Sequence, residues 1–136
     1  MTTAVRPIRQ GIDGALLNDA GVGALVADRM YADSSKPENA ELPFISYGTP
    51  FEGDFGVFNH AGNDGSRLLH LYGVDDDQVE QLYAEVKRVL YAGITVTGHN
   101  LLRLTCSLLS VSQDVSGDRV TSHGVVRVAA LTYSTD

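Results

Sequence analysis

Asp75 to Gly93 reads DDDQVEQLYAEVKRVLYAG, and it separates an apolar run at 68–72 from an alternating run at 102–108. Within it Val79, Leu82, Tyr83, Val86, Val89 and Leu90 recur at intervals of three and four, which lines one side of a helix. Asp75 is placed to accept from free amides of the first turn, and Gln78, three residues on, completes a capping-box pattern. Asp76 and Asp77 favour the positive end of the helix dipole, Lys87 and Arg88 lie toward the negative end, and Gly93 supplies the stop. The spacing predicts a helix over Asp76 to Ala92. The three consecutive acids lack the spaced ligands and closing glutamate of a calcium loop, so they read as a helix start and not as a metal site.

Upstream, Arg67-Leu68-Leu69-His70-Leu71-Tyr72 is apolar at both parities, as in a central strand covered on both sides. Leu42-Pro43-Phe44-Ile45-Ser46-Tyr47 reads as another strand, with Pro43 at its first residue or on an edge because proline has no amide to donate. Downstream, Leu102, Leu104, Cys106 and Leu108 alternate with Arg103, Thr105 and Ser107, the period of a strand with one buried face. Gln113 to Asp118 carries turn chemistry, and Arg119 to Tyr133 returns as a strand with Val126, Val128 and Ala130 on one side. At the N-terminus Val5, Ile8, Ile12, Ala15 and Leu16 predict an amphipathic helix ending near Asn18. Gly21 and Gly23 are expected to interrupt it, leaving Ala24 to Ala27 at most one turn. Asp28 to Tyr31 reads as a short extended segment, and the polar stretch Asp33 to Glu41 as a loop. The expected fold is a single α+β domain over residues 1–136: a mainly antiparallel sheet of about four strands, two main helices and a long C-terminal hairpin. Its core joins Val79, Leu82, Val86 and Val89 to Leu102, Leu104, Cys106 and Leu108.

Composition agrees with a globular domain: 136 residues, 43% of them hydrophobic and 20% charged, exceed the apolar content of disordered chains. A chain of this length buries enough surface to need no staples. With one cysteine, Cys106, no intrachain disulfide or cysteine-based zinc cage forms, and a lone thiol fits a reducing cytoplasm. No apolar run approaches the roughly 20 residues of a membrane helix, and the N-terminus lacks the apolar stretch of a signal peptide. The net charge of -7 disfavours a sequence-independent grip on DNA, which relies on cations displacing counterions.

Catalytic and metal constellations are missing at local spacing. The histidines, at 60, 70, 99 and 123, include no i,i+4 pair and no pair two apart on a strand. His70 is expected within the sheet and His60, His99 and His123 in loops or on exposed faces. Cys106, between Thr105 and Ser107, reads as a packing residue. The glycines at 48, 53, 56, 62 and 65 are not closed by Gly-Lys-Ser/Thr, which excludes a phosphate loop, and Asn63-Asp64-Gly65 reads as a turn. Arg67, Arg103, Arg119 and Arg127 are expected on solvated strand faces or paired with acids. The chain is therefore expected to be no enzyme and to hold no metal or cofactor. One stretch resists a bland reading. Gly48 to Ser66 is too glycine-rich for regular structure yet carries Phe51, Phe55 and Phe58, which are costly to leave in water. It reads as a loop that orders against a neighbour, with Phe51, Phe55, Phe58, Asn59, His60 and Asn63 as candidate interface residues.

Taken in order, four features resemble the tail-completion, or tail-terminator, proteins of long-tailed bacteriophages and gene transfer agents. They are the early helix ending in Ala24-Leu25-Val26, the Asp28-Arg29-Met30-Tyr31 segment, the Leu42-to-Tyr47 strand, and the Leu68-to-Tyr72 strand running into the Val79-to-Leu90 helix. The resemblance covers Ile12 to Tyr133, nearly the whole chain. It implies a structural subunit of the virion, with no catalytic residues, that forms a hexameric ring on the finished tail tube and joins it to the head connector. DNA would pass through the ring without sequence-specific binding, and an acidic ring suits that passage by repelling it. A small-molecule binding or regulatory domain, with a pocket between helix and sheet, is the alternative.

Overall fold

The computed structural model describes the backbone of residues 5–32, 37, 40–57, 60–116 and 118–134, and the side chains among them except at 5, 49–64, 116 and 134. Its elements are α1 (Val5–Leu17), α2 (Ala20–Val26), β1 (Met30–Ala32), β2 (Phe44–Val57), β3 (His60–Gly73), α3 (Asp76–Ala92), β4 (His99–Ser116) and β5 (Arg119–Ser134). The strands form one sheet in the order β1-β2-β3-β5-β4, antiparallel except for β1 on β2. This is the expected α+β fold, with one more strand and one more helix than the sequence reading allowed.

α3 forms as its local signals dictate. The Asp75 carboxylate accepts from the Gln78 amide at 2.8 Å, while the Gln78 side chain reaches one residue further back, to the Val74 amide at 2.8 Å. At the other end Gly93, at φ 120°, takes a conformation that a side chain would strain. Val79, Leu82 and Val86 are fully buried. They join Ile12 and Leu16 of α1, Val22 and Val26 of α2, and Ile45, Leu69, Leu71, Val126 and Val128 of the sheet in one core. Each such side chain contributes roughly 1.5–3 kcal/mol on burial. The first turn of α3 lies close on β5, since a Cβ on Gly124 would stand 2.6 Å from Val79 Cγ1.

The added helix, α2, contains Gly21 and Gly23, the two residues expected to break it. Its start is held from outside the glycines: Asp19 caps it by accepting from the Val22 amide at 2.9 Å, and Val22 and Val26 are buried. Cap and burial outweigh a propensity cost of about 1 kcal/mol per glycine. The added strand, β1, comes from the segment expected to be merely extended; Met30, Tyr31 and Ala32 pair with Ile45, Ser46 and Tyr47.

The β4 core reading needs one correction. Cys106 is buried, and Leu104 and Leu108 pack against the core, but Leu102 is 54% exposed. The ladder shifts between Leu101 and Arg103, so Leu102 is the extra residue of a bulge and Leu101 packs inward instead. A second shift, between Leu108 and Ser110, leaves Leu109 exposed in the same way.

Asp19 also bonds Arg88 of α3, at 2.7 Å. The Val22 amide, and then the Arg88 guanidinium, hold its carboxyl below the ordinary carboxylate range. A carboxyl depressed in the folded state adds stability above its unfolded pKa of about 3.9, and loses it as pH falls through the folded value. Asp19→Asn, which keeps a capping oxygen but no charge, is therefore expected to be less stable than the parent at pH 7. Urea denaturation across pH should show the gap narrowing below about pH 4; a gap constant down to pH 3 would remove the charge from the account.

Candidate functional site

The glycine-rich stretch is not a loop. β2 and β3 continue through it as an antiparallel hairpin, from Phe51 opposite Ser66 to Val57 opposite His60. Gly53 pairs with Asp64, Gly56 with Ala61, Gly62 with Phe55 and Gly65 with Glu52, so no rung joins two glycines. Asn63-Asp64-Gly65, read as a turn, lies instead inside β3 and is paired on its other side with Thr132, Leu131 and Ala130 of β5. Two ladders, invisible to a local reading, override the glycine count. Of the candidate interface residues, Phe51 and Phe55 therefore sit on β2, and His60 and Asn63 on β3. Phe58 and Asn59, and the side chains of the other four, lie outside what the structure describes.

The sheet face away from the helices has two unlike ends. At one end segment 40–43 folds over it, and Tyr31, Phe44, Tyr72 and His123 form a column. Phe44 meets Tyr31 edge-on at 5.8 Å and stacks on Tyr72 at 4.6 Å; His123 stacks on Tyr72 at 4.4 Å. Arg119 of β5 donates to the Ala40 carbonyl and ties the segment down.

The histidines correct the sequence reading. His123 is on a strand with its side chain only 16% exposed, His99 is buried, and His70 Nδ1 lies 2.7 Å from His123 Nε2. The residues are 53 apart in sequence. They meet because Tyr72 pairs with His123, which puts His70 on the next diagonal of the same face. His123 Nδ1 faces Asp114 Oδ2 at 3.1 Å. With Asp114 ionised and accepting, His123 Nε2 accepts in turn and His70 Nδ1 donates, giving one directed chain across three strands. The thiol of Cys106 takes no part in it: Cys106 points to the opposite face, and burial pushes its thiol up to about 11. Among the described residues no three histidine, cysteine or carboxylate side chains are placed so that they could hold one metal ion.

The arginines divide. Arg67 is on the helix side, 5% exposed, bonded to both Asp13 oxygens at 2.9 and 3.0 Å and lying 4.5 Å over the Tyr47 ring. Burial pushes the Asp13 carboxyl up against the pull of Arg67, and pushes Arg67 down against the pull of Asp13. Arg103 and Arg127, by contrast, stand exposed at the uncovered end of the outer face. With Thr105, Ser107, Leu109 and Leu131 they line an open concavity of about 290 Å³. The space between helices and sheet, where the alternative reading would put a pocket, is occupied by Ile12, Leu16, Leu82 and Leu90, which are almost fully buried there.

The interface of α3 with the edge strand is polar at one point. Tyr83 and Tyr91 both place hydroxyls against the Cys106 carbonyl, at 3.3 and 3.4 Å, and the Cys106 amide donates to Tyr91 at 3.0 Å. The outer hydrogen-bonding groups of β4 are thus occupied at Cys106, which blunts a sheet edge that would otherwise invite pairing there.

A solved chain described as belonging to the virion of a native gene transfer agent particle has the same fold. It is 18% identical, the match covers 96% of this chain and 99% of that one, and the TM-score is 0.72. No curated protein matches. A family model, that of tail completion protein gp17, matches residues 10–133, which takes in α2, α3, all but the last residue of the sheet, and most of α1. The chain belongs to the tail completion protein gp17 family.

Proposed function

We propose that this chain is a structural, non-enzymatic subunit of a phage or phage-like virion. In this reading six copies form a ring that ends the tail tube and joins it to the head connector, with DNA passing through. The family match over residues 10–133 carries the reading, and the likeness in fold to a gene transfer agent virion chain supports it. Its acidic net charge suits a conduit that must not retain DNA. The hairpin strands β2 and β3, which carry Phe51, Phe55, His60 and Asn63, are the proposed contact with a neighbouring subunit or with the tube, and Phe58 and Asn59, between them in sequence, are proposed to share it.

Removing residues 52–62 tests this. It joins Phe51 to Asn63 and lets Asn63-Asp64-Gly65, which has turn chemistry, close the rung between Phe51 and Ser66. The shortened subunit is expected to keep most of its stability and to lose ring formation on tail tubes, so that electron microscopy of particles shows heads and tails unjoined. Joined particles with the shortened subunit would overturn the hairpin's role; particles that join with no copy of the chain would overturn the function.

A further inference from the structure

The concavity at the open end of the outer sheet face is the positively charged feature that the fold leaves unused. Arg103 on β4 and Arg127 on β5 both point away from the helices, Arg103 opposite Leu131 and Arg127 opposite Ser107. Among the described residues no ion pair or hydrogen bond takes up either guanidinium, and no described acid side chain lines the concavity. Two arginines held on rigid strands, in a chain whose net charge is -7, call for a carboxylate partner. The chain presents one on its opposite side. Asp75, Asp76, Asp77 and Glu80 crowd the start of α3, and no base occurs on that helix before Lys87. Two of the four are engaged locally, Asp75 with the Gln78 amide and Asp76 with Ser122. Asp77 and Glu80 are exposed, one turn apart on the same face of the helix.

We infer that Arg103 and Arg127 of one copy receive Asp77 and Glu80 of the next. This rests on the ring reading and names the contact that builds the ring. The two surfaces lie on opposite layers of the domain, helix side and sheet side, so the contact is head-to-tail and repeats from subunit to subunit until it closes. A two-fold dimer would need one self-complementary patch, and neither surface is that. The contact is exposed and ionic, so it weakens as salt screens it.

Two charge-reversed chains test it. One carries Arg103→Glu with Arg127→Glu, the other Asp77→Arg with Glu80→Arg. All four positions are exposed, so both chains are expected to melt near the parent temperature. Each alone meets itself with like charges, and the concentration needed for ring assembly, read by native mass spectrometry, should rise roughly tenfold or more. Mixed in equal amounts they restore complementarity at every contact, in a ring where the two alternate, and assembly should return. Parent rings together with unimpaired single variants would overturn the inference and leave the ring reading standing. Impaired variants that mixing fails to rescue would also overturn it, by showing that the arginines face something other than this helix. Intact variant rings whose particles lose DNA retention would assign the arginines to nucleic acid instead. Failure of the parent chain to form rings on tail tubes would instead sink the ring reading itself.

Discussion

Val86→Asp is expected to leave almost no folded protein. Val86 has no solvent exposure and lies midway along α3, between Leu82 and Val89, against the sheet. An aspartate there must stay charged in an apolar core or take up a proton at a cost, and it forfeits the burial of the valine as well. These losses sum to several kcal/mol, against a total stability of about 5–15 kcal/mol for a domain of ordinary size. Lys87→Asp, one residue on, places the same side chain on the exposed face and is expected to cost little. The thermal melts of the two variants, followed by circular dichroism, should therefore differ widely. Equal melting temperatures would mean that the buried stripe of α3 is not the one formed by Val79, Leu82, Val86 and Val89.

That α3 could be read from residues alone follows from where its signals lie. Cap, dipole acids, apolar period and stop all fall within nineteen consecutive positions, Asp75 to Gly93. The same locality explains α1 and the register of Val126, Val128 and Ala130. What failed to show depends on partners far along the chain. Leu102 has the right parity for the core, and only a bulge against β5 turns it out. The glycines from 48 to 65 lower local strand propensity, yet β3 runs between two other strands over Gly62 to Tyr72 and gains from both. His70 and His123 carry no motif spacing at all; their approach is a property of the β3–β5 register. Arg103 and Arg127 were visible as strand arginines, but their sharing of one concavity requires knowing that β4 and β5 are neighbours. Family membership was legible because it depends on the order of elements along the chain, which none of these errors altered.

Asp13→Ala is the second large effect. The Arg67 guanidinium is fixed by the Asp13 carboxylate and the face of Tyr47, and its Nε has no hydrogen-bond partner among the described residues. Tyr47 cannot substitute for the lost anion, since burial pushes its phenol further above the neutral range. Arg9, a turn earlier on α1, adds positive field to the same site. Removing Asp13 thus strands a buried cation, which typically costs about 3–5 kcal/mol. Arg67→Met is expected to cost less, because the Asp13 side chain is 25% exposed and can be rehydrated or protonated. The double variant Asp13→Ala with Arg67→Met removes both charges and leaves an apolar side chain of similar length under Tyr47. It should recover most of the loss, as exchange of a buried ion pair for apolar groups is often neutral or better. Denaturant titration of the four proteins would then give a strongly non-additive cycle. Additive losses, or a cost below about 1 kcal/mol for Asp13→Ala, would show that the pair is no better than a surface salt bridge. The expected outcome instead makes it a device of specificity, in which the pair adds little net stability but penalises any packing of α1 on β3 that separates Asp13 from Arg67.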